Sequence, residues 1–193
     1  MSSSLQLYLA STSPRRREIL QSLGVNFEIV KVETDERPLQ GESAEELVLR
    51  LAIAKAHGAD GADLVLGSDT VVVLDDRILG KPTDADDAVE MLLALSGRSH
   101  RVLTGVALKT PQGTRTVVST TDVRFRKIDR DEAMRYWQSG EPSDKAGSYG
   151  IQGLGGMFVA SINGSYSGVM GLPVFETVEL LKSAGIEILA KHK

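Results

Sequence analysis

No cysteine occurs anywhere in the chain. That excludes a disulfide framework, a thiol nucleophile and a thiolate metal site. Histidine is nearly as scarce: only His57, His100 and His192 occur. Their spacing matches no ligand motif, so zinc chemistry is not expected. Basic charge is not in excess either. The formal net charge is −4, which argues against a general DNA or RNA binder and predicts no stable nucleic-acid partner. No stretch approaches the roughly 20 apolar residues of a membrane span. The opening "MSSSLQLYLASTS" has a short apolar run and no basic region before it, so no signal peptide is predicted. A cytoplasmic protein with no membrane partner is the expectation.

What is present suits a packed core. The 193 residues are 41% apolar and 25% charged, an ordinary globular composition. The length fits one domain, or two small lobes around one cleft. "LQLYLA" (Leu5 to Ala10) alternates and reads as a strand. Ser13 and Pro14 then suit the cap and first position of a helix running to about Leu23. "NFEIVKV" predicts a second strand. Ser43 and Glu46 form a capping box for a helix through His57. "ADLVLGSDTVVVLDDRIL" predicts a strand that turns at Asp75-Asp76 into a hairpin. Thr83 with Asp86 predicts the next helix start, and Asp129 with Glu132 another. A long hairpin is expected around Pro111 to Thr114, and a second one around Asn163-Gly164, with "SYSGVMGL" as its return strand. A final helix spans about Val174 to Ala184. Mixed helices and hairpins predict an α/β fold whose mixed sheet is flanked by helices.

The chemistry centres on charges in unusual places. Arg15, Arg16 and Arg17 open the first helix, at the positive end of its dipole, where cations are misplaced without an anion. On the helical wheel Arg16 falls on the face of Ile19, Leu20 and Leu23; Arg15 flanks it and Arg17 points outward. Arginine forks beside free backbone amides would cradle a phosphate; a solvated basic turn is the alternative. Lys55 shares a stripe with Val48 and Leu51, so it either snorkels or enters a site. Asp69 lies inside a β run, where a carboxylate needs a cation or a metal. Lys81, in the following "GKP", approaches Asp69 if the hairpin folds back. Asp35 and Glu36 lie in a polar loop, and with Asp69 they would complete a hard-cation site. Five glycines between Gly147 and Gly156 permit close backbone approach to a ligand. Gln152 among them offers the donor and acceptor that a base edge requires.

The segments "LASTSPRRREIL", "DERP", "AIAKA", "GSDTVVVLDDRILGKP", "LSGRSHRVLTG", "DKAGSYGIQGLGG" and "INGSYSGVMGLP" follow one another along nearly the whole chain. In this order they resemble the Maf-type nucleoside triphosphate pyrophosphatases, and "DKAGSYGIQG" resembles the subgroup acting on dTTP and UTP. The resemblance implies two lobes around a deep cleft, a shape shared with inosine triphosphate pyrophosphatases. It implies a homodimer and a divalent cation, Mg2+ or Mn2+. The reaction implied is water attack on the α-phosphorus of a nucleoside triphosphate, giving the monophosphate and pyrophosphate. Asp69 matches the catalytic carboxylate, and one of Asp35 and Glu36 a further one, the alignment leaving both open. Asp69 and Glu36 are the expected metal ligands. Arg15, Thr70 and Gln152 match positions of substrate choice. Arg16, Lys55 and Lys81 match the basic lining, with Lys81 placed among the catalytic residues and Ser13 among the substrate-binding ones. The rival expectations are a nucleotide-sensing regulator of cell division and a 7-methyl-GTP-type pyrophosphatase.

Overall fold

The computed structural model describes residues 6–188, so the expectations on Leu5 and His192 lie outside the described residues. The elements are β1 (Leu7–Ala10), α1 (Pro14–Ser22), β2 (Glu28–Ile29), α2 (Ala44–His57), β3 (Leu64–Leu74), β4 (Arg77–Leu79), α3 (Ala85–Leu95), β5 (Ser99–Thr110), β6 (Gly113–Phe125), α4 (Arg130–Gln138), β7 (Val159–Asn163), α5 (Tyr166–Met170) and α6 (Val174–Ser183). Short 3₁₀ turns occupy Glu141–Asp144, Ala146–Ser148 and Leu154–Phe158. The strand order is β2-β1-β3-β5-β6-β7, with β4 paired to β3. β1 runs parallel to β2 and to β3, and the connections carry the helical crossovers, α1 and α2, that parallel neighbours require. The β3–β4 and β6–β7 pairs are antiparallel. The sheet is therefore mixed and the fold α/β.

Local chemistry sets most element starts. The Ser43–Glu46 box closes in both directions, Glu46 N donating to Ser43 Oγ at 3.2 Å and Ser43 N to Glu46 Oε2 at 2.8 Å. Asp129 caps α4 by accepting from Glu132 N. Three expectations are corrected. The start of α3 shifts by one residue: Asp84, a better cap than threonine, accepts from Asp87 N, and Asp87 bonds back to Thr83 N. Ser13 holds the cap position of α1 but makes no side-chain cap bond. Its own amide instead donates to Ser11 Oγ at 3.2 Å, and Pro14 leaves one fewer amide to satisfy. "SYSGVMGL" is no return strand, because Ser165 accepts from Gly168 N at 3.0 Å and starts α5.

The chain forms two compact units. The first comprises the residues up to Asp69, Thr104–Ser119 and those from Gly171 onward; the second comprises Thr70–Leu103 and Thr120–Met170. In the first unit a core of small residues, Ala10, Ala52, Ala56, Ala59, Ala62, Val65 and Ala107, lets α2 lie close on the sheet. A Cβ on Gly67 would stand 2.3 Å from the Ala52 carbonyl oxygen, and one on Gly105 2.4 Å from that of Val48. The helix backbone thus rests directly on β3 and β5.

In the second unit, Phe125 anchors an aromatic cluster. The rings of His100, Tyr149 and Phe158 lie 4.9, 4.7 and 6.0 Å from it. Leu92, Leu95 and Val123 complete the surroundings. His100 is 3% exposed, and its Nε2 lies 2.9 Å from Tyr149 Oη. Burial holds its imidazole down to about 4.

Gly67→Ala should cost about 1–3 kcal/mol, because the clash is with helix backbone and not with a flexible side chain. Gly80→Ala, where an added Cβ meets nothing within 4 Å, should stay within about 0.5 kcal/mol of the parent. Urea titration distinguishes the two. The second expectation concerns pH. The unfolded chain protonates His100 near its ordinary value, while the folded chain resists until about 4. The unfolded state therefore binds more protons between those values, and stability falls as pH drops through that window. The loss is about 3 kcal/mol, at 1.36 kcal/mol per unit. Urea midpoints between pH 7 and 4.5 should fall more steeply in the parent than in His100→Gln.

Candidate active site

Residues two apart on a strand share a face. Gly67 lies beneath α2, so Asp69 is turned to the same side. On α2, Lys55 follows Ala52 by three positions and adjoins Ala56, the two residues that press on Gly67. Close helix–strand packing therefore delivers the lysine to the aspartate. Lys55 Nζ lies 2.6 Å from Asp69 Oδ1 and 2.7 Å from Glu36 Oε1. Lys55 and Asp69 are 8% and 7% exposed. The lysine does not snorkel to solvent; it is held between two carboxylates.

The two bonds differ in weight. The side chain of Asp69 is 10% exposed and that of Glu36 49%. Removing one partner from a buried pair costs about 3–5 kcal/mol, whereas exposed pairs contribute about 0–1 kcal/mol. Lys55–Asp69 is the fixed element and Lys55–Glu36 the exchangeable one.

Arg16 turns inward, as the helical wheel predicts. Its Nε donates to the Gly171 carbonyl at 2.8 Å and its Nη1 to Ser11 Oγ at 3.3 Å. Ser68 Oγ donates to the same carbonyl at 2.9 Å. Burial is the main force lowering the Arg16 pKa; Asp69 and Glu36 oppose that shift and Arg15 adds to it. The guanidinium is thus within electrostatic reach of both acids. Arg15 is half-buried and Arg17 exposed.

The neighbouring acids Asp35 and Glu36 face different cations. Asp35 pairs with Arg37, with Oδ2 to Nη2 at 2.6 Å, and the Arg37 hydrogen bonds hold its carboxyl down to about 2. Arg50 steadies the loop, bonding Glu42 Oε1 at 2.6 Å and the Arg37 carbonyl at 3.1 Å. Glu36 is the acid that meets Lys55. Among the described residues, no three His, Cys, Asp or Glu side chains gather as a ligand set. Asp69 and Glu36 offer oxygen donors alone, which fits a hard cation that takes its other ligands from substrate and water.

The remaining predicted residues belong to the second unit. Thr70 is half-buried and follows Asp69 on the opposite face of β3. Lys81 is exposed just past β4. Gln152 is exposed and directly follows the buried Ile151.

The glycines around Gln152 serve a purpose the sequence did not reveal. A Cβ on Gly153 would stand 2.2 Å from Glu141 Oε2, and one on Gly155 2.5 Å from Tyr136 Oη. These glycines admit the protein's own acid and phenol. Glu141 and Tyr136 escaped the sequence reading; an acid just before a glycine-rich run was the only signal, and one acid in a polar stretch is unremarkable. The structural role of the Gly171 carbonyl was also missed, since a backbone acceptor leaves no mark in a side-chain pattern.

The family model described as "Maf-like protein" matches residues 6–184. A protein named dTTP/UTP pyrophosphatase from Vibrio parahaemolyticus is 52% identical, over 94% of this chain and 98% of that one. One of the same name from Saccharophagus degradans is 50% identical, over 96% and 91%. Among solved structures, the Staphylococcus aureus Ham1 protein is similar at 16% identity and a TM-score of 0.45, over 62% of this chain and 71% of that one, too distant to argue from. With the family pattern matched from β1 to the end of α6, the chain belongs to the Maf-like family.

Proposed function

We propose that the chain is a nucleoside triphosphate pyrophosphatase that converts dTTP and UTP to the monophosphate and pyrophosphate. The observation that carries this reading is the Lys55–Asp69–Glu36 cluster, with Arg16 in electrostatic reach. The names of its half-identical relatives supply the substrate class.

In this reading a water oxygen attacks the α-phosphorus, and the bond to the α,β-bridging oxygen breaks. Pyrophosphate leaves with that electron pair. Asp69 takes the water's proton. Its Oδ1 is engaged by Lys55, so Oδ2 is the oxygen we assign to that task. Lys55 fixes the carboxylate's orientation, and such positioning is most of what phosphoryl-transfer catalysis asks of a protein. Arg15 and Arg16, at the positive end of the α1 dipole, offset phosphate charge. The Ser13 hydroxyl makes no bond to α1 and is assigned to a phosphate oxygen. Glu36, rather than Asp35, is assigned as the second acid, since Asp35 is committed to Arg37. A divalent cation held by Asp69 and Glu36, Mg2+ or Mn2+, would acidify the water and spread the phosphate charge. Thr70, Lys81 and Gln152 are assigned to the nucleotide on the family resemblance alone, Lys81 to its phosphates and Gln152 to its base. The homodimer rests on that resemblance too.

A screen of canonical and modified triphosphates, scoring monophosphate and pyrophosphate, should rank dTTP and UTP first. Activity should vanish on chelation and return with Mg2+ or Mn2+. Binding without product release would favour a regulator. Asp69→Asn should lower kcat by about 10²–10⁴ while the fold persists, because the asparagine keeps an oxygen that accepts from Lys55 where Oδ1 does now. Near-parental turnover in a folded Asp69→Asn protein would remove Asp69 from the chemistry.

A further inference from the structure

Gln152 is an exposed side chain on a segment rich in glycine, the residue that loses most conformational freedom on folding. A base-reading amide on such a segment would have no fixed direction unless something restrains its backbone. Glu141 does so. Its Oε1 accepts from Tyr136 Oη at 2.7 Å and from Gly155 N at 3.0 Å, and its Oε2 accepts from Leu154 N at 2.8 Å. Tyr136 Oη in turn accepts from Gly150 N at 3.0 Å. One carboxylate and one phenol thus hold the backbone on both sides of Gln152.

The carboxylate is built to stay an acceptor. Burial pushes its pKa up, but the bonds from Gly155, Tyr136 and Leu154 and the charge of Lys145 outweigh that and leave it lowered. Lys145 Nζ donates to the Glu141 carbonyl at 2.6 Å, and the Tyr136 ring packs edge-on against Phe158 at 5.1 Å. The acid is therefore fixed to the unit's core, and the segment is fixed to the acid. Any side chain at Gly153 or Gly155 would collide with this pair.

We infer that Glu141, acting through Tyr136 and the 150–155 backbone, is a positioning residue that sets nucleotide discrimination by fixing Gln152. The inference rests on the proposed base-reading role of Gln152. Glu141 has no part in the proton transfer or in phosphate binding.

The test is a double-mutant cycle of Glu141→Gln and Gln152→Ala, with kcat and KM measured for dTTP, UTP, dCTP and dATP. Glutamine keeps the size of the side chain but turns one acceptor into a donor that faces an N–H. Glu141→Gln should raise KM for dTTP about 10-fold and flatten the ranking, with kcat changed less than 3-fold, as order-of-magnitude expectations for lost uniform binding. In the Gln152→Ala background it should change the ranking no further. If Gln152→Ala lowers discrimination while folded Glu141→Gln keeps it, or if the two effects add, the positioning role is wrong. If Gln152→Ala itself leaves the ranking intact, the base-reading role fails and takes this inference with it. Should Glu141→Gln not fold, Tyr136→Phe removes one hydroxyl and the Gly150 bond, and it should flatten the ranking in the same direction. An unchanged ranking in folded Tyr136→Phe overturns the inference equally.

Discussion

An ammonium group buried between two carboxylates organises the first unit. Removing Lys55 and Asp69 from water is costly, and only near-ideal contacts offset it. Those contacts demand that α2 lie unusually close to β3. The closeness comes from residues with little or no side chain: Ala52 and Ala56 on the helix, Gly67 on the strand, Gly105 on the next strand. The small-residue core and the charged cluster are thus one feature. Ordinary side chains at those positions would lift the helix and carry the lysine away from its partner.

The same economy recurs in the second unit with different chemistry. There Gly153 and Gly155 yield space to Glu141 and Tyr136 and Gly150 to the Lys145 side chain, and the backbone amides become ligands for an internal anion. In both units glycine is used for what it omits, allowing a polar group to reach backbone that a Cβ would shield. In both, a buried or half-buried charge is tolerated because its bonds are satisfied within the chain.

Much of this was legible beforehand. Periodicity and capping residues located every helix except α5, since Ser43 with Glu46 and Asp129 with Glu132 are local signals that local geometry obeys. The inward turn of Arg16 followed from helical angle alone. What remained hidden depends on contacts distant in sequence. The partner of Asp69 could be named only once α2 was seen lying on β3, and nothing near Glu141 indicates that its carboxylate reaches residues beyond Gly150. "SYSGVMGL" misled because its short alternation imitates a strand, while Ser165, as a helix cap, decides otherwise. Glu36 and Asp35 are indistinguishable as letters; they separate only when Arg37 is seen to engage Asp35.

The carbonyl of Gly171 receives both Arg16 and Ser68, and it lies in the last of the three chain segments that compose its unit. During synthesis from the N-terminus, the nascent chain exposes Arg16 to the ribosome exit long before that acceptor emerges. The contact that fixes Arg16 at the start of α1 therefore forms late, across a very long sequence separation. The unit cannot assemble its full hydrogen bonding until translation has passed Gly171, so Arg16 and Ser68 must wait for the acceptor they share.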